Sequence, residues 1–302
     1  MEQTWWGDRG QLVRLDAAEG ASSSGCIAVS RLGGAQAGGD LFTIWVQLRG
    51  ASWVEAKEGR FRLRRGQWIA LERDSKPLVQ SDRYGLCIGI VLNSEGMKAM
   101  ARFADGPLYA GRGRLGRRDA LTMLRLWRAA SERGAEGADA YALRPLLLHF
   151  AAIQQELDGY IQRCPGRSRT RKRQVFGRLQ RARLYLEGNC DRVVRISELA
   201  ELTSFSSWYF SRTFYSLYDE SPQAAAARMR LEHAADLLRS TSMMVGEVAA
   251  ASGFDNCCSF ARAFRARFGT SASRYRSTTM TSRTDSAKSS GVGRKAVLKT
   301  GT

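Results

Sequence analysis

The chain has 302 residues, 44% hydrophobic and 25% charged, which is the balance of a soluble globular protein with room for two cores. Its 47 Lys and Arg against 29 Asp and Glu leave a net charge of +18, favouring a polyanionic partner such as nucleic acid or an anionic surface. Six cysteines without a C-x-x-C pair and two histidines, His149 and His233, offer no metal-ligand set, and no catalytic triad, P-loop or dinucleotide fingerprint is present.

From Met1 to Asp8 no basic region leads into an apolar run. The most apolar stretch, residues 141–153, is too short to cross a bilayer and carries Arg144, Pro145 and His149, so no membrane partner is expected. Residues 25–92 alternate apolar and polar side chains in short runs broken by Gly50, Gly59 and Gly66, which predicts strands in a small barrel or sandwich. Trp45, Trp53, Trp68 and Tyr84 fall in this part. They are either plain core or the lining of a pocket for a small organic effector.

The pattern then turns helical, with Leu121, Leu124 and Trp127 in one segment and Leu143, Leu146, Leu147, Phe150, Ile153, Leu157 and Ile161 in the next. So long an apolar stripe serves as core or as the seam between two copies of the chain. Residues 163–173, "RCPGRSRTRKR", hold six basic side chains and read as an extended, solvated linker that could lie near phosphates. From Ser277 the composition turns to Ser, Thr, Lys and Gly, and disorder is expected.

Residues 175–276 contain a near-repeat: "SELAELTSFSSWYFSRTF" starts at Ser197 and "GEVAAASGFDNCCSFARAF" at Gly246. Each predicts a helix, a tight turn and a second helix ending in Phe-x-Arg-x-Phe, which is a helix-turn-helix. At about 100° per residue, Phe210 and Phe214 share a face that leaves Arg212 opposite, and Phe260 and Phe264 do the same to Arg262. Buried aromatics thereby turn an arginine outward, as reading a major groove requires. Between the units, "SPQAAAARMRLEHAADLLRS" offers Ser221 as N-cap and Pro222 at the first helical position, predicting a helix to Arg239. Roughly 18 residues at about 1.5 Å each span roughly 27 Å; with end segments added, one chain could reach two major grooves about 34 Å apart.

The end of the second unit, "GFDNCCSFARAFRARFGTSASRYR", with the first unit and the long joining helix, resembles the DNA-binding domain of AraC/XylS-family transcription regulators. Ala272 stands where that family commonly has Pro, and Ser204 and Asp219 stand where Gly is common. By position, the resemblance implies DNA contacts from Ser207, Trp208, Ser211 and Arg212 in the first unit. In the second it implies them from Asn256, Cys257, Cys258, Ala261, Arg262 and Arg265. Trp208, four residues before Arg212, either faces the groove or belongs to the core. Cys257 and Cys258, without partners for a metal, take base-facing positions as small, weakly polar groups.

The β-rich half resembles the family's effector-binding half, a cupin-like barrel. The resemblance implies an α+β, two-domain chain: an effector-binding and dimerisation domain at 1–162, a basic linker at 163–174, a DNA-binding domain at 175–276 and a disordered tail at 277–302. It implies a cytoplasmic, nucleoid-associated bacterial regulator, more often an activator, that forms a homodimer and responds to a small-molecule effector. Its partners would be double-stranded promoter DNA and RNA polymerase, with no metal, cofactor or catalytic residue. Two other readings compete: an effector-independent architectural DNA-binding protein, and a barrel enzyme tethered to DNA.

Overall fold

The computed structural model describes residues 4–15, 24–103, 106–134 and 142–278, so the tail expected from Ser277 lies almost wholly outside the described residues. Eleven strands among these form two sheets. The six-stranded sheet runs β1 (Thr4–Gly7), β3 (Gly25–Ser30), β10 (Leu86–Leu92), β5 (Phe42–Arg49), β8 (Gln67–Leu71), β11 (Gly111–Arg114). The five-stranded sheet runs β2 (Leu12–Leu15), β4 (Gly34–Ala37), β9 (Leu78–Ser81), β6 (Ala51–Ala56), β7 (Gly59–Arg64). Pairing is antiparallel except between β1 and β3 and between β2 and β4.

The expected barrel is not closed. The chain passes repeatedly from one sheet to the other, with tight corners from β1 to β2 and from β3 to β4, instead of continuing one hydrogen-bonded ladder around. Arg9, Arg31 and Leu32 take left-handed backbone angles at these corners, with φ of 49°, 43° and 69°. The result is an open sandwich. Between the sheets lies a core of Ile27, Val29, Trp45, Val54, Phe61, Leu63, Ile69, Val79 and Val91. Alternation along β5 sends Trp45 into this core and Ile44 and Val46 to the other face. Gly89 lies opposite Trp45 on the neighbouring strand, and a Cβ there would meet the indole ring at 2.8 Å, so the glycine makes room for the ring.

Helices cover the outer face of the six-stranded sheet: α1 (Ser94–Phe103), α2 (Arg117–Gly134) and α3 (Arg144–Ile153). Helix α2 buries Met123, Trp127 and Ala130; of the stripe read from the sequence Trp127 is buried, Leu124 is half-buried and Leu121 is 47% exposed. The Trp127 indole fixes that rotation by donating to the Gly89 carbonyl at 2.8 Å. A 3-10 turn (Gln154–Leu157) leads to α4 (Asp158–Arg163).

Helix α5 (Arg169–Gly188) begins inside the segment expected to be an extended linker. The Ser168 hydroxyl accepts from the Arg171 amide at 3.1 Å, capping the start, and Arg and Lys are good helix formers once a cap is in place. The helix buries Val175, Phe176, Leu179, Ala182, Leu184 and Leu186. It is held to the sandwich by Arg181, which donates to Glu58 and Asp74, each at 2.9 Å. The two elements approach so closely that a Cβ on Gly59 would collide with the Gly188 backbone and one on Gly188 with the Glu58 carbonyl.

The remaining helices are α6 (Ile196–Thr203), α7 (Ser207–Tyr218), α8 (Pro222–Ser240), α9 (Val245–Ala251) and α10 (Cys257–Phe268), with 272–278 also helical. The chain divides into two compact units. The first comprises Met1–Asn189 with Arg195–Pro222 and holds the sandwich, its helices and α5 to α7. The second comprises Cys190–Val194 and the described residues from Gln223, with α8 to α10 around Leu231, Ala234, Leu238, Val248, Phe260 and Phe264.

Candidate nucleic-acid interface

In the first unit, α6 stops where Ser204 turns left-handed at φ 52°, and the Phe205 amide donates back to the Ala200 carbonyl at 2.9 Å. Helix α7 then starts on Ser206, whose hydroxyl accepts from the Tyr209 amide at 3.2 Å. It buries Phe210, Thr213, Phe214 and Leu217. Its end is pinned to α5, because the Tyr218 hydroxyl donates to Gln180 at 2.9 Å. Arg178 of α5 holds the turn by donating to the Thr203 carbonyl at 3.2 Å while lying over the Phe205 ring.

With that face fixed, Ser207, Trp208 and Arg212 are exposed and Ser211 is half-buried. Trp208 is 68% exposed and therefore not a core residue. The Arg212 guanidinium lies over its ring at 5.2 Å, one helical turn on. Tyr215, 60% exposed, extends the same face and was missed by the sequence reading, although its i+7 spacing from Trp208 marks it.

The second unit repeats the construction. Glu247 accepts from the Met244 amide at 2.7 Å at the start of α9, and Asn256 caps α10 by accepting from the Ser259 amide at 2.7 Å. Phe254, Phe260, Phe264, Phe268 and Tyr275 form a run of ring contacts on the inner side. On the outer side Cys257, Cys258, Ala261, Arg262 and Arg265 are all exposed. Arg267 is drawn aside by Glu232 at 3.0 Å, whereas Arg262 and Arg265 have no acidic partner among the described residues. Cys257 and Cys258 differ from Cys26, Cys87 and Cys164, which are buried; burial pushes the Cys26 thiol up to about 12 and the Cys164 thiol up to about 11. Each outer face thus offers guanidinium donors beside small or planar side chains, which suits phosphates and the acceptor edge of guanine.

The four aromatics expected to line an effector pocket are not brought together. Trp45 is fully buried between the sheets, and Trp68 sits on the opposite face of its sheet, packed edge-on against Phe150 at 5.0 Å. Trp53 points outward, with Arg60 and Arg62 over its ring at 5.0 and 5.7 Å. Tyr84 is 64% exposed on a turn. Strand alternation is the reason for Trp53: Ser52 and Val54 on either side take the inner face. Among the described residues no cluster of His, Cys, Asp or Glu could hold a metal ion, and no helix is long and apolar enough to cross a membrane.

Two helix-turn-helix units with such faces define a DNA-binding protein, and the comparisons with known proteins agree. A helix-turn-helix domain family matches residues 199–278. The chain is 29% identical over 93 residues to the HTH-type transcriptional activator AarP of Providencia stuartii, covering 31% of this chain and 69% of that protein. It is 31% identical over 93 residues to the transposon Tn10 TetD protein of Escherichia coli, covering 31% and 67%. Among solved structures, a probable AraC family transcriptional regulator from Rhodopseudomonas palustris is 34% identical with a TM-score of 0.32, over 34% of this chain and 96% of that one. The chain belongs to the AraC family of DNA-binding transcription regulators and is not an enzyme.

Proposed function

We propose that this regulator reads a specific DNA site through the outer faces of α7 and α10, and that its β-rich half senses a small-molecule effector and pairs two copies of the chain. The observation that carries the reading is the repeated division of labour in the two helices. In each, a Phe pair is buried and an arginine is left exposed, Arg212 beside Trp208 and Arg262 beside Cys258 and Ala261. The Ser207, Ser211, Asn256, Cys257 and Arg265 positions complete the two faces. Helix α8, 19 residues and so roughly 28 Å long, suits a span between neighbouring major grooves. Activation by engaging RNA polymerase is the sign of regulation we favour, since AarP is an activator. For pairing, Leu121 on α2 is an exposed apolar side chain.

A titration with salt tests sequence-specific reading against plain coating of DNA. Net charge alone binds all duplexes, and such binding falls steeply as salt rises. Selected duplexes are expected to remain bound at salt that strips random ones, by a factor of about a thousand or more in affinity. Loss of both together would leave an architectural protein in place of a regulator.

A further inference from the structure

A cavity of about 410 Å³ opens in the first unit where the end of α1, the 106–109 segment, α3, the 3-10 turn and α5 meet. That volume lies within the range of small-molecule sites, roughly 300–1,000 Å³. Arg102 of α1 and Arg173 of α5 line it, as do Phe103, Leu108 and Leu148. Tyr109 lines it too; this residue is 7% exposed, and its hydroxyl is buried without a hydrogen-bond partner among the described residues. A buried hydroxyl left unbonded costs free energy, so an acceptor there is wanted. Burial also pushes the Tyr109 hydroxyl up to about 12, keeping it a donor at neutral pH. Among the described residues Asp158 is the one acidic side chain in the lining, and it disfavours a doubly charged guest.

We propose that this cavity binds a small organic monoanion with an apolar body, its carboxylate held by Arg102, Arg173 and the Tyr109 hydroxyl and its body against Phe103, Leu108 and Leu148. The proposal rests on the reading of the β-rich half as a sensor and gives that sensor a ligand class and a site. The site lies outside the sandwich core, against the helix that carries the first reading unit. Phe176 of α5 packs edge-on against Tyr109 at 4.8 Å, and Gln180, one turn further, holds α7 through Tyr218. An anion on Arg173 therefore bears on the helix that positions Trp208 and Arg212.

Calorimetry on the full chain with benzoate and octanoate, against benzyl alcohol and octanol, provides the test. At least one carboxylate is expected to bind, and its alcohol about tenfold more weakly or not at all. Arg173→Gln and Tyr109→Phe should each weaken the carboxylate severalfold, and Leu148→Trp should block the cavity; retained DNA binding shows that each variant folds. Absence of carboxylate binding, equal binding of the alcohol, or indifference to Arg173→Gln and Leu148→Trp overturns the site. Its failure is separable from failure of the sensor reading. A cell extract that alters DNA affinity equally in wild type and Leu148→Trp keeps the sensor and removes this site, whereas an extract without effect on wild type removes the sensor.

Discussion

Asn256 stands at the first turn of α10 with its side-chain oxygen already committed to the Ser259 amide at 2.7 Å. A cap of this kind contributes about 1 kcal/mol. Asn256→Ala is therefore expected to lower stability by about that amount, with any loss of DNA affinity following from a frayed helix start. Asn256→Ser keeps a capping oxygen, so denaturation should shift by a few tenths of a kcal/mol and binding to the selected site should persist. An affinity loss in Asn256→Ser confined to one base pair would instead make the amide nitrogen a base reader. Trp208 is the opposite case. It supports no core, but its ring under the Arg212 guanidinium narrows the arginine's rotamers before DNA arrives, which reduces the ordering cost of binding.

At the scale of elements, α5 decides how the reading unit is held. Glu58 is fully buried, accepting from Ser75 and from Arg181, each at 2.9 Å, while Arg181 also reaches Asp74. Removing the guanidinium leaves a buried carboxylate without its cation, so Arg181→Ala is expected to cost about 3 kcal/mol in denaturant unfolding. Pairing it with Glu58→Gln should recover much of that, and a double variant as unstable as the single one would show packing, not charge, to be the source. Burial raises the Asp74 carboxyl, but hydrogen bonds from Arg181 and Lys57 outweigh it and hold the group below its usual 3.8. Asp74's contribution is accordingly present above that pH and fades as pH falls through the lower folded value. None of this was legible in the sequence, because Glu58 and Arg181 are far apart in the chain and a basic run masks the helix start at Ser168. The helix-turn-helix units were legible because Phe-x-Arg-x-Phe fixes one helical face by spacing alone. The strands were legible, with a barrel and a sandwich both left open: alternation places Trp53 opposite Val54 without saying which face is core, and the burial of Ser52 and Val54 settles it.

For the whole molecule, each compact unit carries one reading helix, α7 in the first and α10 in the second, and α8 joins them. If both helices read bases, their arginines act on separate base pairs, and the two losses should be independent. Arg212→Ala and Arg262→Ala are each expected to weaken the selected site by about 1–3 kcal/mol and to relax preference at one position. Selection of binding sites with each variant would place the two relaxed positions about one DNA turn, ~34 Å, apart. The double variant should lose close to the sum of the single losses, since distant sites add. A uniform loss over all sequences in either variant would make that arginine a phosphate contact, and relaxed positions falling on the same base pair would rule out reading by one chain in two grooves.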